Sequence, residues 1–306
     1  VARFPIHLPD LRAVALFALL AFGLAGCGGR DPAPPTPHGT LLGIASEFQL
    51  LAPRDMYRDA PGTELTGQSI ARATLVRLAN YETLYEGRFD PEVAVLKGRA
   101  FELMLDLESA RLAYLEAAKH DTELREDCTQ RAARLSELLE VGQLRPSGES
   151  TEDQAALLRR QATFLRQKAE EMAPTPHRAL ALAVAEQAQV LHAEYMASHR
   201  WVLTSGDDRA VEAMELLVEA NRTSWRSLEH ALRLARLHRE IAEEEMRLQP
   251  PHTAGFDQTR VLHHIDEGLD LLSRISQADG RPERLIASRE LDTMLALREL
   301  VIARSR

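Results

Sequence analysis

Eleven histidines and two cysteines are the side chains of this 306-residue sequence with the widest chemical reach. Their spacing narrows what they can do. A helix that binds a metal usually offers two ligands one turn apart, as in His-x-x-x-His or His-Glu-x-x-His, and neither pattern occurs here. His192 and His199 stand seven apart and His230 and His238 eight apart, while His263 and Glu267 could meet at i,i+4. Surface ion pairs or partly buried rings are the expectation for these histidines, not a metal centre. There is no Gly-x-Ser-x-Gly, Ser-x-x-Lys, Walker glycine loop or Cys-x-x-Cys, the local signatures of nucleophilic, phosphate-binding and dithiol chemistry. Trp201 and Trp225 fall on separate predicted helices, where core or inter-helix packing explains them better than a sugar-stacking cleft. No catalytic residue, metal or cofactor is therefore expected, and the chain reads as a non-enzyme.

Cys27 is the exception, because its surroundings specify a chemistry. The segment 13–25 is apolar or small, follows Arg3 and Arg12, and closes on small side chains, the layout of a secretory signal. It is shorter than the ~20 apolar residues needed to span a bilayer. Leu24-Ala25-Gly26-Cys27 resembles the lipobox of bacterial lipoproteins. That resemblance implies diacylglycerol on the Cys27 thiol, cleavage just before it, and a membrane partner held through lipid. Two or three acyl chains suffice for a stable anchor. Gly28, standing where the family uses Asp to retain proteins at the inner membrane, implies the outer membrane and a periplasm-facing body. Cys128, left without an intramolecular partner, reads as a small buried hydrophobe on a helix.

The remaining segments must position whatever function exists. Residues 1–26 form the signal peptide, and 27–45 the lipid anchor with a tether carrying four prolines. Beyond these, Ala, Leu, Arg and Glu dominate with almost no period-two alternation, so the fold class is all-α. Helices are predicted over 66–85, 91–105, 108–119, 122–139, 152–172, 176–202, 207–248, 256–277 and 281–303. Pro91 and Pro176 suit first helical turns; Gly87, Gly142, Gly206 and Gly280 mark helix ends; Thr151 with Gln154 suggests a capping box. The stretch 141–150, rich in Gly, Pro and Ser, divides a helical domain at 46–145 from a helical bundle at 151–306. Residues 207–248 contain no Gly or Pro, and read as one helix of about 63 Å at 1.5 Å per residue. A break at Asn221–Ser224 is the alternative.

Within 91–124, five positions share the spacing of a known unit: Gly98, Phe101, Ala110, Tyr114 and Ala117. The segment resembles a tetratricopeptide repeat, a 34-residue helical hairpin in which small residues admit close helix approach and two rings fill the gap. Ala94, Lys97 and Thr122 depart from the family's usual Trp, Leu and Pro, and the pattern does not recur 34 residues either way. The resemblance implies packing roles for the five residues and a groove face at Glu92, Val95, Arg99 and Glu102 that would meet a protein partner.

Charge and composition bound the partners. The formal net charge is −9, from 37 basic and 46 acidic side chains that are interspersed along the chain. Nucleic-acid binding, which wants clustered cations, is excluded. The functional expectation is a lipid-anchored scaffold or assembly factor for protein partners in an envelope process. Ligand binding or catalysis within 152–306 is the alternative.

Overall fold

In the computed structural model, residues 36–55, 68–173, 175, 177–253 and 255–304 are described. The Leu24–Cys27 segment lies outside them. Eleven α-helices follow one another, and no strand occurs among the described residues. They are α1 (Pro37–Asp55), α2 (Ser69–Leu84), α3 (Asp90–Leu103), α4 (Leu107–Ala118), α5 (Arg125–Leu139), α6 (Thr151–Glu171), α7 (Arg178–Ser198), α8 (Gly206–Ala220), α9 (Ser227–Leu248), α10 (Gln258–Ser276) and α11 (Glu283–Arg304). A short 3₁₀ turn, Glu140–Gln143, extends α5.

Helix α1 occupies part of the segment expected to be tether. Leu41, Ile44, Ala45 and Phe48 recur at the spacing of one helix face, and all four are buried. They meet Leu78, Tyr81 and Ala71 of α2 and Val93, Leu96 and Ala100 of α3. Pro37 does not oppose this helix, since a proline at the first helical position gives up an N–H that would be unpaired anyway. Residues 37–45, expected to belong to the tether, are therefore helical.

The expected long helix is also two helices. Residues 221–226 turn the chain between α8 and α9, so the pair lies as a hairpin. Arg260 of α10 reaches both ends of that hairpin, pairing with Asp207 at 3.2 Å and Glu245 at 3.0 Å. A continuous helix would hold those carboxylates about 57 Å apart. Side chains fix the turn: Asn221 Nδ2 donates to Gln189 Oε1 at 2.8 Å, and Ser224 Oγ donates to Glu186 at 2.9 Å, both acceptors lying on α7.

The capping box of α6 uses Ser150 and Asp153, one residue earlier than expected. Ser150 Oγ accepts from Asp153 N at 3.1 Å, and Asp153 accepts from Ser150 N and from Ser147 Oγ. Three donors, Ser147 Oγ, Ser150 N and Ser150 Oγ, converge on that carboxylate, a group that Gln154 lacks. The hydrogen bonds from Ser150 and Ser147 hold the Asp153 carboxyl below the usual carboxylate range.

Packing is serial: each helix lies mainly against its neighbours in sequence, with α9 also touching α11. The cores overlap along the array. Ala94, Ala110, Tyr114, Cys128, Leu135 and Leu138 from α3 to α5 form one cluster with Leu165, Ala169 and Met172 from α6 and its end, and with Ala181 and Ala185 of α7. A second, larger cluster runs from Ala155 through Leu217, Ile241, Ile265 and Met294. The loop at 141–150 thus interrupts the helices without separating their cores, and α7 contributes to both clusters.

Candidate functional site

The α3–α4 hairpin brings the five repeat-like positions together. Gly98 is buried against Tyr114, whose ring a Cβ at that position would meet at 2.7 Å. Ala110, Tyr114 and Ala117 are fully buried, and Phe101 packs on the same cluster. The Arg131 guanidinium lies 5.7 Å from the Tyr114 ring centre and pairs with Asp127 at 2.8 Å and Glu102 at 3.8 Å. Burial raises the Glu102 carboxyl above its ordinary range, against the opposing pull of Arg131. Burial likewise pushes up the Tyr114 hydroxyl.

The groove face expected at Glu92, Val95, Arg99 and Glu102 is not open as a set. Val95 is buried in the core shared with α4 and α5, and Glu102 is turned onto Arg131. Glu92 and Arg99 are half-buried. The cause is two-sided packing. Val93 and Leu96 of α3 face α1 and α2 while Ala94 and Val95 face α4 and α5, leaving little of this helix to solvent.

A polar centre lies where α7 meets the α8–α9 turn. His230, fully buried, places Nε2 2.6 Å from Glu186 Oε1, and Ser224 Oγ donates to the same carboxylate. Burial alone would raise the Glu186 carboxyl. The hydrogen bonds from His230 and Ser224 outweigh it and hold the group below its usual range. Serine, histidine and glutamate are the residues of a hydrolytic triad, but their order is wrong for one. Activation needs the histidine between serine and acid, whereas here the acid stands between the other two. The arrangement joins the α8–α9 turn to α7.

His238 of α9 and His264 of α10 form a second buried polar pair, with their Nδ1 atoms 3.0 Å apart. His264 and its neighbour His263 line one wall of an open cleft of about 330 Å³, together with Asp208, Glu212, Glu215 and Arg260. Among the described residues no three or more His, Cys, Asp or Glu side chains converge as metal ligands. No family model, curated protein or solved structure matches the chain.

The other singled-out residues are dispersed. His192 lines a smaller cleft of about 140 Å³ between Arg159 and Arg209, and burial with those cations lowers its pKa. His199 stacks on Tyr195 at 4.0 Å, and Cys128 is buried, its thiol pushed up by desolvation. Neither tryptophan is a core residue. Trp201 and Trp225 occupy the α7–α8 and α8–α9 turns and are 56% and 39% exposed, Trp201 under the Arg200 guanidinium at 3.8 Å. The Glu186–Ser224–His230 centre was not foreseeable from a local motif, because its members lie 38 and 44 residues apart.

Proposed function

We propose that the protein is a lipid-anchored helical scaffold, held at the outer membrane through Cys27 and facing the periplasm, that binds protein partners in an envelope process. The observation that carries this reading is the serial stacking of α1 to α11. Helices packed one after another form an extended body with long lateral surfaces, the arrangement that repeat proteins use to hold partners. The tetratricopeptide-like reading of residues 91–124 draws support from the close approach of Gly98 to the Tyr114 ring. No helix among the described residues is long and apolar enough to cross a membrane, and in this reading the lipid on Cys27 supplies the attachment.

Metabolic labelling with a palmitate analogue, followed by envelope fractionation, tests the anchor. The native chain should carry the label and sediment with membranes, and Cys27→Ser should lose both while retaining its helical circular dichroism. A Cys27→Ser chain that still sediments with the envelope at the native size overturns the anchor. For the scaffold role, photo-crosslinkers at Glu92 and Arg99 in living cells should yield discrete adducts that a crosslinker at Asp279, on the α10–α11 turn, does not. Identical adducts at all three positions argue against a specific face.

A further inference from the structure

We infer that the His238–His264 pair is an acid-operated latch between α9 and α10, closed while one of the two facing nitrogens is unprotonated and released when both carry a proton. The geometry sets this rule. With Nδ1 atoms 3.0 Å apart, one ring donates and the other must accept through a lone pair. A second proton would set two N–H groups head to head between two cationic rings. Both rings are buried, so water offers little relief.

The surroundings make the doubly protonated state costly and supply somewhere for it to go. On α10, His263 and Arg260 add positive charge, while Asp207 and Asp208 of α8 draw the other way. Asp207 is already engaged by Arg200 and Arg260, each at 3.2 Å. From α11 the neighbour at this level is the buried Met294, whose methyl group lies over Gly268 and contributes no charge. Flanking His238 on α9 are the apolar Ala235, Ile241 and Ala242. Burial foremost, then His264 and His263, depresses His238 to about 4. His264 is lowered by burial and by His263 and Arg260. Unlike His238, His264 also borders the open cleft, where Asp208, Glu212 and Glu215 would receive its imidazolium once the ring leaves its partner. That differential contact is what a two-state device requires.

The direction with pH follows from linkage. A histidine whose pKa in the closed state lies below the free value of about 6.5 contributes its full stabilisation above that pH. The contribution is lost as pH falls from about 6.5 toward 4. Hydrogen–deuterium exchange on the full chain in detergent, at pH 7 and pH 4.5 and corrected for intrinsic exchange, reads this directly. Protection of α9 and α10 should fall by at least about tenfold at the lower pH, with α3 to α5 unchanged. In His264→Asn the amide stands in for Nδ1 but takes up no proton, so the fall should shrink to the part that burial of His238 alone sets. Unchanged protection in the native chain, a uniform loss along all helices, or an equal fall in His264→Asn overturns the latch. Should the variant not fold, assigned ¹⁵N resonances of the native chain decide: a His238 ring titrating below about 5 supports the proposal, and a His238 ring titrating near 6.5 overturns it.

Discussion

At the scale of single residues, glycines show what the chain can and cannot signal by type alone. Gly206 reads in the sequence as the end of a helix, yet it begins α8, directly after Ser205 in the left-handed region at φ 50°. What demands glycine is the neighbouring backbone: a Cβ here would sit on the Arg200 carbonyl oxygen, a group that cannot rotate aside. At Gly98 the obstacle is the Tyr114 ring, and at Gly43 on the exposed face of α1 there is none within 4 Å. Three alanine substitutions should therefore differ in sign. Gly206→Ala should cost about 2–3 kcal/mol and Gly98→Ala about 1–2, as overpacking does, whereas Gly43→Ala should stabilise by about 0.5–1 through reduced unfolded-state freedom. Urea unfolding of the three variants checks the order. The burial of Ala110, Tyr114 and Ala117 was legible from their sizes and helical spacing. Glu186, Ser224 and His230 were not, because each is an ordinary helix or turn residue until the fold brings the three together.

At the scale of elements, helices with one apolar stripe and a punctuated end were readable to within a few residues, and the two departures have a common cause. In α1 the stripe Leu41, Ile44, Ala45 and Phe48 is present in the sequence, but no helix is predicted there, because the prolines upstream draw the segment up to residue 45 into the tether and the predicted helices begin only at 66. In α8 and α9 the absence of Gly and Pro argued for continuity, yet intrinsic helix propensity is a weak constraint that tertiary contacts override. Asn221 and Ser224 can bond to backbone or to distant side chains, and their partners on α7 reward the turn. A distance measurement separates the two forms. Spin labels at Asp208 and Arg247, both exposed, should give a separation below about 25 Å in the hairpin, where a single helix would hold the two backbones about 58 Å apart. Pulsed electron resonance that returned the longer value would restore the continuous helix.

At the scale of the whole molecule, contacts between sequence neighbours make the body quasi-one-dimensional, so stability passes from helix to helix through shared side chains. The Gly-, Pro- and Ser-rich loop at 141–150 has the composition of a linker, and composition was all the sequence offered there. It could not reveal that Leu135 and Leu138 before the loop would share a core with Leu165, Ala169 and Ala181 after it. Those partners are set by how the chain beyond the loop brings the end of α6 and the start of α7 back to α5, which no local pattern encodes. Leu135→Ala tests whether the two halves are energetically joined. The side chain is 1% exposed, and its truncation should cost about 2–4 kcal/mol in lost burial and residual cavity. If the core is continuous, hydrogen exchange should quicken in α6 and α7 as well as in α4 and α5, with the effect fading toward α10 and α11. A change confined to residues before 141 would mean that the loop separates two independent units after all.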